Sequence, residues 1–126
     1  MSIMLLYRVQ YGGIEFYFDK KNANIFLETI KNIENRGSHV EEAVNLNSEK
    51  TTTLRFTLKD ADEIYMRKNS IDINISKDAI DYATYKINEF LKTGEFYPAE
   101  FYEFSNMKKR KGNISIYFLK IYTLDE

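Results

Sequence analysis

Residues 76–104 read SKDAIDYATYKINEFLKTGEFYPAEFYEF, and the order of elements in the rest of the chain can be worked outward from this stretch. Ser76 is a preferred helix N-cap residue, and Gly94 stands where a left-handed C-terminal residue is favoured. Between them, apolar side chains recur at helical spacing and form one stripe: Ala79, Ile80, Ala83, Ile87, Phe90 and Leu91. Five of the nine residues at 96–104 are aromatic, and Pro98 predicts an irregular or edge-strand segment there because it cannot donate to a central ladder.

The same local features predict a first helix over residues 20–36, with Asp19 as its N-cap and Gly37 at its end. Alternating apolar residues predict strands at 3–9, 14–18, 51–58, 63–67, 71–75 and 114–122. The pair Gly12-Gly13 lies between the first two strands and is typical of a tight hairpin turn. Residues 38–46 suit either a further strand or a helical turn.

Consecutive hairpins favour antiparallel pairing, and two helices that each carry one apolar stripe pack most simply on the same face of a sheet. We therefore predict a single α+β domain over residues 1–126. It has a mainly antiparallel β-sheet of about five to seven strands with two amphipathic helices packed on one face. The expected order is β-β-α-β-β-β-β-α-β, and the sequence shows no internal repeat.

Composition excludes several kinds of site. The 126 residues are 44% apolar and 29% charged, with 18 basic and 19 acidic side chains. The chain has no cysteine, which excludes disulfides and thiolate chemistry. No apolar run approaches the ~20 residues of a membrane span, and the N-terminal apolar run is too short for a signal peptide. We expect a cytoplasmic protein that does not contact a membrane.

Catalytic and metal-binding patterns are missing from the sequence. The one histidine, His39, follows Ser38 directly, and neighbours on a strand point to opposite faces, so they cannot share a hydrogen bond in the usual geometry. The acidic turn at 60–63 lacks the glycine and the alternating oxygen ligands of a calcium loop. We therefore expect no catalytic residue, no metal site, no cofactor and no enzymatic activity.

The aromatic segment after the second helix supplies the first candidate site. Packing in the hydrophobic core beneath the second helix is enough to explain Phe96, Phe101 and Phe104, so these residues do not require a binding function. The remaining polar and tyrosine side chains have the composition of a protein-binding patch, although structural packing is the alternative. The predicted partner-binding residues are Tyr97, Glu100, Tyr102 and Glu103.

A basic run supplies the second candidate site, formed by Lys108, Lys109, Arg110 and Lys111. This run is the alternative contact surface, for nucleic acid, with Tyr97, Tyr102 and Tyr117 as stacking partners. Four charges on an otherwise acidic body make a small electrostatic footprint. A charged hairpin tip that keeps neighbouring strands soluble fits the run better, so nucleic acid is the less favoured partner.

In general design, this small cysteine-free chain is similar to bacterial immunity and inhibitor proteins, which act by occluding a partner's site. That analogy implies a non-enzymatic protein-binding module whose partner is another protein, such as a toxin or effector. The alternatives are a nucleic-acid-associated regulator that uses residues 108–111, or a small-ligand-binding protein with an aromatic-lined pocket. The oligomeric state stays open, with a homodimer among the alternatives.

Overall fold

The computed structural model describes residues 5–108 and 112–121, and these residues form eight strands and two helices. The first half of the chain contains β1 (Leu5–Gln10), β2 (Gly13–Phe18), α1 (Lys20–Arg36), β3 (Ser38–Asn45) and β4 (Thr51–Leu58). The second half contains β5 (Glu63–Met66), β6 (Ser70–Ile75), α2 (Lys77–Thr93), β7 (Glu100–Asn106) and β8 (Asn113–Lys120). The ambiguous residues 38–46 are therefore largely strand.

The strands close into a barrel in the order β1-β2-β8-β7-β5-β6-β4-β3, with β3 returning to β1. Four antiparallel hairpins make up the ring: β1 with β2, β3 with β4, β5 with β6, and β7 with β8. Neighbouring hairpins are joined by parallel pairs, in which β1 pairs with β3, β2 with β8, β4 with β6, and β5 with β7. Antiparallel and parallel pairs thus alternate around the ring.

The predicted sheet of five to seven strands, mainly antiparallel with both helices on one face, is wrong. Alternating apolar residues establish which face of a strand is buried, but they do not identify the neighbouring strand. Pairing is antiparallel within each hairpin, as predicted, but the contacts between hairpins are parallel. Of the segment at 96–104 that was expected to be irregular or an edge strand, residues 96–99 are irregular and contain Pro98, as expected. Residues 100–104 instead belong to β7, which is paired on both sides in the ring; Pro98 precedes this strand and takes no part in its ladder.

Both helices have the predicted ends. The Asp19 carboxylate accepts a hydrogen bond from the Asn22 backbone N–H at 2.9 Å, and Gly37 ends α1 with a φ of 81°. The Ser76 hydroxyl accepts from the Ala79 backbone N–H at 3.2 Å, and α2 also ends at a left-handed glycine. Capping and C-terminal chemistry therefore set the limits of both helices as the sequence predicts.

The two halves of the chain repeat one another, although the sequence shows no repeat. Each half has the order β-β-α-β-β, so β1, β2, β3 and β4 correspond to β5, β6, β7 and β8. When each strand is replaced by its counterpart, every neighbouring pair in the ring becomes another neighbouring pair; the pair of β2 with β8, for example, becomes the pair of β6 with β4. The helices have 17 residues each and bury the same six positions. In α1 these are Asn22, Ala23, Phe26, Thr29, Ile30 and Ile33, and in α2 they are Ala79, Ile80, Ala83, Lys86, Ile87 and Phe90.

One segment breaks this internal symmetry. After α1, Gly37 leads directly into β3, whereas residues 95–99 separate Gly94 from the start of β7. These five residues have no counterpart in the first half. We call residues 95–99 the inserted segment.

The barrel has two distinct ends. All four hairpin turns lie at one end, the hairpin end, because their hairpins run in the same direction around the ring. Each helix leaves and re-enters the barrel at the other end, the helix end, and the two helices contact each other there. Apolar side chains of both helices meet the inward faces of the strands around a cavity of only about 20 Å³.

Candidate functional site

A groove lies between α2 and the inserted segment at the helix end of the barrel. Its volume is about 170 Å³. Its lining combines aromatic rings, carboxylates and one lysine: Tyr82, Tyr85, Lys86, Glu89, Thr93, Glu95, Phe96 and Tyr97. We call this feature the tyrosine groove.

The tyrosines of α2 form a supported aromatic wall. Tyr82 and Tyr85 lie one turn apart, with ring centroids 6.2 Å from each other and ring planes 13° apart. Behind them, the Tyr82 ring stacks on buried Phe101 at 6.1 Å. Tyr85 is 59% exposed, so the wall presents one ring to solvent while the other is braced against the core.

The inserted segment is held from two directions. On its inner side, Phe96 stacks on Phe90 with centroids 4.4 Å apart and also contacts Phe18 and Phe118. On the α2 side, the Lys86 ammonium donates a hydrogen bond to the carbonyl oxygen of Pro98, the residue after a cis peptide bond. These contacts fix the segment while Tyr97 between them stays 97% exposed.

Lys86 is an unusual residue for its position because lysine is rarely this buried. Only 5% of it is exposed, and its ammonium lies 5.4 Å from the centre of the Tyr82 ring. Burial lowers the pKa of Lys86, and the negative charge of Glu100 opposes that change. The surroundings therefore disfavour the charged ammonium overall, yet the side chain spans the space between the helix and the segment.

The four predicted partner-binding residues do not form one patch. Tyr97 lies in the groove, and Glu100 is exposed at the start of β7, where its charge influences Lys86. Tyr102 contacts Tyr82 at 6.4 Å but lies outside the groove lining, and burial raises its pKa. Glu103 accepts a hydrogen bond from the Asn113 side chain farther along the sheet.

Sequence reasoning missed the α2 side of the groove. Tyr82 and Tyr85 are three positions apart on a helix, and this spacing alone places them together on one surface. Lys86 falls three residues after Ala83 and one before Ile87, inside the predicted apolar stripe. A polar residue at such a position needs a partner, and this pattern was the available indication of its role.

The one described residue of the basic run, Lys108, lies at the hairpin end, opposite the tyrosine groove. Lys108 lines a hollow of about 330 Å³ at the hairpin end, and residues 109–111 of the run lie outside the described residues. An adjoining hollow of about 340 Å³ is lined by Lys50, Arg67 and Lys68, which the sequence analysis did not connect with the run. The predicted stacking partners Tyr97 and Tyr102 are not in either lining.

Within residues 5–108 and 112–121, no group of three or more His, Cys, Asp or Glu side chains is arranged to hold a metal ion. Neither described helix has the length and apolar character needed to cross a membrane. His39 lies with its Nε2 atom 3.0 Å from a carboxylate oxygen of Glu41, and Thr29 donates to that same oxygen at 2.8 Å.

In comparisons with known proteins, no family model, no curated protein and no solved structure matches this chain. A function can therefore be proposed only from its geometry and side-chain chemistry.

Proposed function

We propose that this protein is a non-enzymatic binding module that holds a segment of another protein in its tyrosine groove. The observation that carries the proposal is the broken symmetry of the barrel. The first half connects its helix to the next strand through a single glycine, so the fold does not require the five extra residues of the second half. Those residues place Tyr97 in solvent, in the lining of the same groove as Tyr85.

Exposed tyrosines on a rigid support suit a binding surface. A tyrosine has only two side-chain torsions to fix, so its ring buries a large area at low entropy cost. Tyr82 is already braced by Phe101, and the inserted segment is anchored by Phe96 and Lys86. Because these groups are already held in place, partner binding costs little further conformational entropy, and this preorganisation favours affinity.

The lining favours a basic partner segment. Glu89 and Glu95 contribute carboxylates to the same lining as Tyr85 and Tyr97. Each carboxylate forms an ion pair at the surface, Glu89 with Lys92 at 3.7 Å and Glu95 with Lys120 at 3.2 Å, and a basic partner side chain would exchange with these lysines. A lysine or arginine over an aromatic face gains about 0.5–2 kcal/mol, depending on how far it is desolvated. A segment with one basic and one apolar side chain would meet both features. A protein of the immunity or inhibitor type would use such contacts to occlude its partner's site.

Selection from a phage-displayed library of random peptides tests this function. We expect enriched peptides to carry arginine or lysine next to an apolar residue. The double variant Tyr85→Ala, Tyr97→Ala should bind these peptides at least about tenfold more weakly by fluorescence anisotropy, since each lost ring contact is worth roughly 1 kcal/mol or more. Tyr11→Ala is the matched control, because Tyr11 is 96% exposed at the opposite end of the barrel.

Two outcomes would contradict the proposal. One is selection of peptides that bind the wild-type protein and the double variant equally well. The other is failure to enrich any peptide while circular dichroism shows that the immobilised protein is folded.

A further inference from the structure

Charge is divided between the two ends of the barrel. Four turns join the paired strands of the hairpins, at residues 11–12, 46–50, 67–69 and 107–112. Within the described residues, these turns contain four basic side chains and one acidic side chain, Glu49. The four are Lys50, Arg67, Lys68 and Lys108. The net charge of the chain is −1, so the described part of the turns is positive on a molecule that is slightly acidic overall.

The hairpin end is concave between its turns. The two hollows there share Val9 and Met66, and neither lining contains a carboxylate. Around the basic side chains stand neutral hydrogen-bonding groups: Asn45, Ser48, Thr51, Thr52, Asn69, Asn106 and Asn113. Lysine, arginine, hydroxyl and amide groups are those that contact phosphate and sugar oxygens in nucleic-acid complexes.

The basic side chains at the hairpin end are either without a carboxylate partner or held in place by neighbouring residues. Among the described residues, no carboxylate forms an ion pair with the ammonium group of Lys50, Lys68 or Lys108. The Arg67 Nε atom donates to Asp72 at 2.8 Å, and its guanidinium lies 4.2 Å from the centre of the Tyr65 ring. Arg67 is therefore held in one orientation at the edge of the hollow. The three exposed lysines can form ion pairs with a bound anion.

Tyr11 adds an aromatic ring to this end. It occupies the turn between β1 and β2 with a φ of 52°, and its side chain is 96% exposed. A bulky residue in the left-handed region is uncommon, because its Cβ meets the following carbonyl. The fold could use glycine or asparagine there with less strain, so stability does not explain the tyrosine. The next residue, Gly12, lines the same hollow as Lys108.

We propose that the hairpin end binds single-stranded nucleic acid, with phosphates at the basic rim and bases stacked on Tyr11. A positively charged groove combined with an exposed aromatic ring is the arrangement used by proteins that bind single strands. A flexible strand can follow the hollows and offer the face of a base to Tyr11. In a duplex the bases are stacked on each other, which leaves the tyrosine ring without a partner.

The sequence disfavoured nucleic acid because the run at 108–111 has only four charges. The closed barrel changes that assessment by bringing the turns of three other hairpins to the same end. Lys50, Arg67 and Lys68 come from two of those turns and Tyr11 from the third. The inference stands on these residues and Lys108, and it is independent of the tyrosine groove at the helix end.

Fluorescence anisotropy with labelled oligo-dT and oligo-U strands of about 20 nucleotides tests the inference, a length that exceeds common single-strand site sizes. For three or more phosphate contacts, log K should fall with log salt with a slope of about −2 or steeper. The double variant Lys50→Glu, Lys68→Glu should weaken binding by about tenfold or more. Tyr11→Ala should weaken it by about tenfold and reduce the preference for a single strand over a duplex.

The matched control is Lys20→Glu, Lys21→Glu, which makes the same change in net charge on exposed lysines at the start of α1. This control should keep at least half of the wild-type affinity. Three results would overturn the inference: no binding of the strands at low salt, an equal loss of affinity in the control, or a stronger affinity for a duplex. Binding of anionic phospholipid vesicles without binding of either strand would overturn it as well.

Discussion

Replacing Lys86 with methionine separates what this residue does for stability from what it does for the groove. Methionine keeps an unbranched chain of similar volume and removes the ammonium group. In the native protein that group donates to the Pro98 carbonyl and faces the Tyr82 ring at 5.4 Å. The substitution therefore removes two favourable contacts and one buried charge in a single change.

Opposing contributions set the expected size of the effect. A hydrogen bond from a charged donor is worth about 1.5–3 kcal/mol and the contact with the ring about 0.5–1 kcal/mol. Removing an ammonium group from water costs several kcal/mol. Burial lowers the pKa of Lys86, so desolvation of the ammonium group opposes the favourable contacts in the folded protein. We expect the free energy of unfolding of Lys86→Met to stay within about 1 kcal/mol of wild type or to rise.

Although the overall stability of Lys86→Met should be unchanged or higher, the inserted segment should become less well held. Without Lys86, the Pro98 carbonyl loses its donor. The inserted segment then keeps the packing of Phe96 and the hydrogen bonds at its two ends, from Glu95 to Thr93 and from the Phe118 N–H to the Ala99 carbonyl. Amide hydrogen exchange at residues 95–97 should accelerate while exchange in β7 and β8 stays slow. Urea denaturation measures the change in the free energy of unfolding of the whole protein. A loss of more than about 2 kcal/mol, together with unchanged exchange in the segment, would refute this account of Lys86.

The dependence on pH gives an independent check. The pKa of Lys86 is lower in the folded protein than its ordinary value of 10.5, so the unfolded chain binds more protons between the two values. The contribution of this lysine to stability therefore rises as pH increases through that alkaline window. Relative to Lys86→Met, the wild type should gain stability as the pH rises toward the ordinary lysine pKa of 10.5. A constant difference in urea midpoint across that range would show that the pKa is not lowered.

Three further substitutions test the packing of the barrel by urea denaturation. Gly13→Ala places a Cβ 2.9 Å from the Ser115 carbonyl oxygen at the β2–β8 pair, and should cost about 1–3 kcal/mol; an unchanged midpoint would contradict this parallel pairing. Thr29→Val removes the hydroxyl that donates to Glu41, and should cost about 1 kcal/mol, with a gain in stability as the contrary result. Phe118→Ala removes a fully buried ring and should cost about 3–5 kcal/mol, whereas a loss below 1 kcal/mol would mean that the core tolerates its absence.

Local chemistry made the helices predictable. Asp19 and Ser76 satisfy free backbone amides within their own first turns, and Gly37 and Gly94 provide a conformation that other residues resist. These effects act over a few residues, so the sequence contains all the information needed to place them. The apolar stripes also indicated correctly which face of each helix is buried.

Closure of the barrel was not predictable in the same way. The parallel pair of β2 with β8 joins segments almost a chain length apart, and no turn residue records which strands will meet. Lys86 illustrates the same limit at the site, because its burial depends on the inserted segment that follows the helix. The positive charge at the hairpin end likewise became visible only when the fold brought Lys50, Arg67, Lys68 and Lys108 together from three separate turns.

The internal symmetry makes the two halves of the chain equivalent to the subunits of a two-fold dimer. Each half offers the other the same edges, since β2 pairs with β8 as β6 pairs with β4, and the two helices contact each other. Such an interface is self-complementary. Geometry therefore allows two copies of a half-length chain to assemble the same ring of eight strands. A dimer of first halves would carry no inserted segment, and a dimer of second halves would carry two tyrosine grooves.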